Sequence, residues 1–110
     1  MAFDVILAER VRQVLIEQSD VSERKMFGGL SFMIGDKMAV AASSRGGLLV
    51  RVDPATMDSV IATTAAESID MGTRTMRGWV HVAADAVRTK RDLATWVRRG
   101  IEYAESLPDA

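Results

Sequence analysis

His81 is the one histidine in a chain of 110 residues, and no cysteine accompanies it. A histidine is the side chain best suited to move a proton near neutral pH. To act as a general base it needs a carboxylate to orient it and a nucleophile to deprotonate. No motif around Trp79-Val80-His81-Val82 supplies either. Strand alternation puts Trp79 and His81 on one face and Val80 and Val82 on the other, so His81 is expected to be structural or at the surface. The lack of cysteine excludes a disulfide framework, a thiolate nucleophile and any cysteine-ligated zinc or iron–sulfur centre. A single histidine excludes a multi-histidine metal site. The sequence therefore assigns no catalytic residue, no metal ligand and no cofactor.

Gly28-Gly29 raises the question of a phosphate-binding loop. Such a loop follows a strand, opens a helix and ends in further glycines or Gly-Lys-Ser/Thr. Here the pair precedes an apolar strand pattern, so a bent or closely packed backbone is the better reading. Gly46-Gly47 reads as a hairpin turn. The acid pairs Asp53 with Asp58 and Glu102 with Glu105 match no metal or glycosidase pattern and read as solvated surface. The seven methionines could form a plastic binding surface. Most lie at apolar strand positions, which favours core filling.

Charge is uneven along the chain. Residues 1–73 carry a balance of −3, residues 74–99 a balance of +5 and the remainder −3, for a total of −1. The basic stretch holds Arg74, Arg77, Arg88, Lys90, Arg91, Arg98 and Arg99. Arginine suits bidentate contact with phosphate or carboxylate. Arg88, Lys90 and Arg91 sit at the start of an expected helix, against its dipole, and an external anion would relieve that small cost. Arg88, Lys90, Arg91, Arg98 and Arg99 are thus the candidate interaction residues, at DNA or at an acidic protein surface. A solvated basic face is the plain alternative. No recognition helix, zinc finger or stacking-aromatic pattern marks a sequence-specific nucleic-acid module.

The elements that would carry these residues follow from periodicity. Phe3, Leu7, Val11, Val14 and Leu15, with Ile6 beside them, trace one face of a first helix, and Ser19-Asp20-Val21-Ser22 reads as its end and a loop. Leu30–Ile34, Met38–Ala42 and Leu48–Val52 read as three strands joined by short turns, an antiparallel meander. Asp53-Pro54 predicts the cap and first residue of a helix with Met57, Val60 and Ile61 on its buried face. Glu67 to Val82 reads as a hairpin with arms Ile69–Met71 and Trp79–Val82. Thr89 with Asp92 resembles a capping box for a last helix. Leu93, Trp96, Val97, Ile101, Ala104 and Leu107 line that helix, and Pro108 stops it. The expected class is α+β in two layers: a five-stranded antiparallel sheet with helices packed on one side, in the order α-β-β-β-α-β-β-α.

At 110 residues, 48% hydrophobic and 26% charged, the chain reads as one soluble domain spanning 1–110. The short apolar N-terminal stretch is flanked by acids, unlike a signal peptide, and no window suits a membrane span. Cytoplasmic residence without a membrane partner is the expectation. A chain this small buries a modest core, so a second copy or another protein could add stability.

Arg24-Lys25-Met26-Phe27-Gly28-Gly29-Leu30-Ser31-Phe32-Met33-Ile34-Gly35-Asp36-Lys37-Met38-Ala39 resembles the signature of the TfoX/Sxy N-terminal domain family. Lys25, Met26, Phe27, Gly28 and Gly29 carry the signature. The likeness continues at Leu48–Asp53, at Met76–Val82 and at Asp92–Val97, covering nearly the whole chain. It implies a bacterial cytoplasmic protein with an α-β(3)-α-β(2)-α fold similar to secretion-chaperone-like domains. It also implies a role in regulating natural competence alongside a cyclic-AMP-responsive transcription activator. No catalytic residue or cofactor comes with the family, and the Met-Phe-Gly-Gly run implies architecture. Full-length competence regulators carry a second, helical domain, which is not expected in a chain ending at Ala110. Gly78-Trp79 also departs from the aromatic pair or tyrosine common there. The expected function is a non-enzymatic regulatory or adaptor domain that binds a transcription factor or DNA-associated partner. The alternative is a chaperone-like homodimer that binds peptide or protein segments on its sheet.

Overall fold

The computed structural model of the chain describes residues 3–26, 28–71 and 74–108. In order it shows α1 (Val5–Val14), β1 (Val21–Met26), β2 (Gly29–Ile34), β3 (Lys37–Ala42), β4 (Leu48–Arg51), α2 (Met57–Thr63), β5 (Glu67–Met71), β6 (Arg74–Val82), a 3-10 turn (Ala84–Val87) and α3 (Lys90–Ser106). The strands form one open sheet in the order β1-β2-β3-β4-β6-β5, every neighbouring pair antiparallel. The α+β class and the helices on one side agree with the sequence reading. The described sheet has six strands, however, where the sequence reading expected five.

The extra strand is β1. Its sequence, Val21-Ser22-Glu23-Arg24-Lys25-Met26, lacks the apolar alternation that marks a half-buried strand, and its residues are exposed or half-buried. It pairs with β2 from Val21↔Ile34 to Met26↔Gly29. A charged edge strand of this kind resists pairing with other chains. The Asp53-Pro54 expectation also needs correction. α2 begins at Met57 with Thr56 before it, and Asp53 instead closes a turn. Its Oδ1 accepts from the Ala55 amide at 2.9 Å and its carbonyl from the Thr56 amide at 3.0 Å. The aspartate satisfies backbone donors, as its type suggests, but one turn too early to be the helix cap.

One face of the sheet is the core. Phe32 pairs with Val40, Val40 with Val50 and Val50 with Val80, so one row crosses four strands, and all four side chains are fully buried. Leu30, Ala42, Leu48 and Val82 form the next row. The three helices lay Leu7, Ala8 and Val11, Met57 and Val60, and Leu93, Val97, Ile101 and Ala104 over these rows. Ile6 departs from its expected place beside the apolar face of α1 and is 75% exposed. It lies one residue, about 100°, round the helix from Leu7, enough to turn it to solvent.

α1 is capped by Asp4, whose Oδ1 accepts from the Leu7 amide at 3.1 Å. Its outer face is tied to β1 by Arg12. The guanidinium donates to both oxygens of Glu23, at 2.6 and 2.9 Å, and to Glu9 at 3.0 Å. The Arg12 guanidinium holds the Glu23 carboxyl below the usual carboxylate range. A lowered folded-state pKa stabilises the fold above the unfolded value of about 4.3, and that stabilisation is lost as pH falls through the folded value. We therefore expect Glu23→Gln to cost about 0.5–1 kcal/mol at pH 7, a figure limited by solvent screening at this partly exposed site. The gap to the parent chain should narrow as pH falls below the unfolded value of about 4.3 and close once it passes the lowered folded value. Urea unfolding at pH 7 and pH 3 checks this; an equal gap at both would show that the pair carries no pH-linked stability.

Candidate functional site

α3 carries most of the candidate interaction residues. Thr89 caps it, its Oγ1 accepting from the Asp92 amide at 3.0 Å. Leu93, Trp96, Val97, Gly100, Ile101 and Ala104 turn inward, leaving the opposite side to solvent. Arg88, Lys90, Arg91, Arg98 and Arg99 are all exposed, and none makes a salt bridge to a described residue. Arg91 and Arg98 are seven residues apart, so they share a stripe about 10 Å long. Arg88 and Lys90 lie at the N-terminal end of this stripe. Arg10 reaches from α1 to the Val87 and Arg88 carbonyls at 2.8 and 2.9 Å, fixing the approach to α3. The structure thus places Lys90, Arg91, Arg98 and Arg99 on one helix and Arg88 just before it, but not in a single cluster.

Arg98 and Arg99 stand apart from the other three. They line a cavity of about 530 Å³ between α2 and α3, together with Asp53, Glu102 and Tyr103. Two acids there face two arginines, so the cavity has no strong charge of its own. Arg99 also lies over the Trp96 ring, 5.0 Å from its centroid. Arg88, Lys90 and Arg91 lie outside that cavity.

His81 lies on β6 on the same sheet face as Trp79, as alternation predicts, while Val80 and Val82 are buried opposite. Its Nε2 sits 2.8 Å from the Gly46 carbonyl, so that nitrogen carries the proton and donates. Nδ1 is 3.8 Å from Glu67 Oε1, a contact that becomes an ion pair only when the ring is protonated. The ring thus braces the β3–β4 turn at Gly46-Gly47. Among the described residues, no group of three or more histidine, aspartate or glutamate side chains is placed to hold a metal ion.

Within the signature run, the two glycines serve the backbone. Gly28 has φ +77° between β1 and β2, and a Cβ on Gly29 would lie 2.4 Å from the Ala42 carbonyl oxygen. The first glycine turns the chain and the second lets β2 approach the end of β3. Lys25 is exposed, Met26 is half-buried, and Phe27 lies outside the described residues.

Sequence reasoning placed Trp79 and His81 on the second face of the sheet but did not group the residues that share it. Arg24, Ser31, Ala41, Leu49, His81 and Glu67 follow one another across it, with Met33 beside Met38 and Arg51 beside Trp79. The helices' buried side chains all join the cluster on the other face. Core filling was the expectation for the methionines. Among those whose side chains are described, only Met33 and Met57 are buried, and Met26, Met38 and Met76 are half-buried. At one end of this face a groove of about 640 Å³ lies over Met26, Met33 and Met38, walled by Trp79, Leu107 and Pro108. The sequence signal was the parity of the strands, which places Met26 and Trp79 opposite the core rows.

Among the described residues, no helix is long and apolar enough to cross a membrane. Residues 13–104, most of the chain, match the family model described as the TfoX N-terminal domain. No curated protein and no solved structure matches the chain.

Proposed function

The chain belongs to the TfoX N-terminal domain family, and from that premise we propose that it is a non-enzymatic regulatory adaptor. It docks, in the cytoplasm, on a transcription factor or another DNA-associated partner. The observation that carries this reading is the basic run of Arg88, just before α3, and Lys90, Arg91 and Arg98 on it, exposed and without ion pairs to described residues. An unpaired cationic stripe attracts an acidic protein surface or a phosphate backbone and speeds encounter. His81, the residue with familiar base chemistry, is occupied in bracing a turn.

Capture tests the reading. The tagged chain, cross-linked in its host cell, should retain a transcription factor or RNA polymerase subunit, and Arg91→Glu with Arg98→Glu should lose it. Retention of the same proteins by the charge-reversed chain would contradict the role given to the stripe.

A further inference from the structure

The groove on the open face of the sheet is not part of the α3 stripe, and Arg51 ties it to the C-terminal part of α3. This guanidinium lies between two rings, 5.9 Å from the Trp79 centroid in the groove and 6.0 Å from that of Tyr103 on α3. Its Nη1 donates to the Met38 carbonyl at 3.3 Å. One of five N–H donors is used there, and the stacked plane is held ready for a carboxylate. Arg24 on β1 is exposed and makes no salt bridge to a described residue. Lys37 lies 3.6 Å from Asp36, the one acid lining the groove among the described residues, so these two offset each other. Among the described residues, the guanidinium groups of Arg24 and Arg51 leave the groove positive beyond that pair.

The floor is of another kind. Met26 and Met38 are half-buried and flexible, and Trp79 presents a ring edged by the arginine. Methionine side chains reshape round varied apolar groups, which suits a surface that accepts more than one anchor. The volume of about 640 Å³ is ample for one or two apolar side chains.

We propose that this groove docks an acidic protein segment that seats an apolar anchor residue on the methionine–tryptophan floor while its carboxylates meet Arg24 and Arg51. The charge of the walls selects the acid, and the floor selects the anchor. The proposal rests on the adaptor reading and deepens it by naming the chemistry of the docked segment and a second surface that receives it.

The test uses the whole chain and a panel of fluorescein-labelled twelve-residue peptides. Each carries one Leu, Met or Phe among Asp and Glu, with neutral counterparts in Asn and Gln. Saturable binding of acidic peptides is expected to weaken tenfold or more in Arg24→Glu and in Met26→Glu. Both positions lie on the edge strand and leave the core rows intact, and a near-ultraviolet circular dichroism spectrum confirms the fold of each variant. Tryptophan emission should change on binding, and that change should vanish in Trp79→Phe. Arg91→Glu with Arg98→Glu should leave peptide binding in place. Four results would overturn the groove: no binding, equal binding of the neutral peptides, displacement of the peptide by duplex DNA, or self-association of the chain that occludes Trp79. Binding lost in the α3 variant but kept in Arg24→Glu and Met26→Glu would also overturn it, while leaving the adaptor reading standing.

Discussion

Phe32→Ala should lower the unfolding free energy by about 3–5 kcal/mol, a large share of the roughly 5–15 kcal/mol that holds a domain of this size together. Phe32 starts the row that continues through Val40, Val50 and Val80, and its side chain is fully buried. Its strand β2 is flanked on one side by the charged edge β1, which contributes little to the core. The ring therefore supplies much of the apolar area at that end of the sheet. Its neighbours are set by strand register and cannot collapse fully into the space, so a cavity cost adds to the lost transfer energy. Urea titration should show a lower midpoint with an unchanged slope. A loss below about 1 kcal/mol would mean that the row is not the centre of the core.

Gly100→Ala should destabilise the chain, although glycine to alanine inside an exposed helix ordinarily stabilises by about 1 kcal/mol. A Cβ at Gly100 would lie 2.4 Å from the Ala39 carbonyl oxygen and 2.8 Å from Val40 Cγ1. Ala39 is the extra residue of a bulge, because Phe32 pairs with Val40 while Met33 pairs with Met38. Its carbonyl belongs to the sheet and cannot swing aside like a flexible side chain. α3 must therefore back away from β3, and overpacking of this kind costs about 1–3 kcal/mol, outweighing the gain in helix propensity. A thermal melt reads the sign directly. A raised melting temperature would show that α3 does not lie this close to the bulge.

The parts of the fold that were legible in the sequence are those in which one face of an element is buried. α3 announced itself by Leu93, Val97, Ile101 and Ala104 at helical spacing, and these residues are buried. β2, β3 and β4 were legible as apolar runs between turn residues. β1 was not, because an edge strand that faces solvent carries no burial pattern and is held by its pairing with β2. The start of α2 was misplaced because an aspartate followed by proline suits a turn as well as a helix cap. For the interaction surfaces, the basic run on α3 could be read from charge alone. The groove could not, since Arg24, Lys37, Arg51 and Trp79 come from four strands and meet only once the sheet order is known.

The central claim, that the arginine stripe of α3 docks a DNA-associated partner, is tested most directly by the affinity of the captured partner at two salt concentrations. The parent chain should bind it at least tenfold more tightly than Arg91→Glu with Arg98→Glu at low salt, a difference of about 1.4 kcal/mol. That advantage should shrink as salt screens the exposed charges. Equal affinities for the two chains at low salt would contradict the claim.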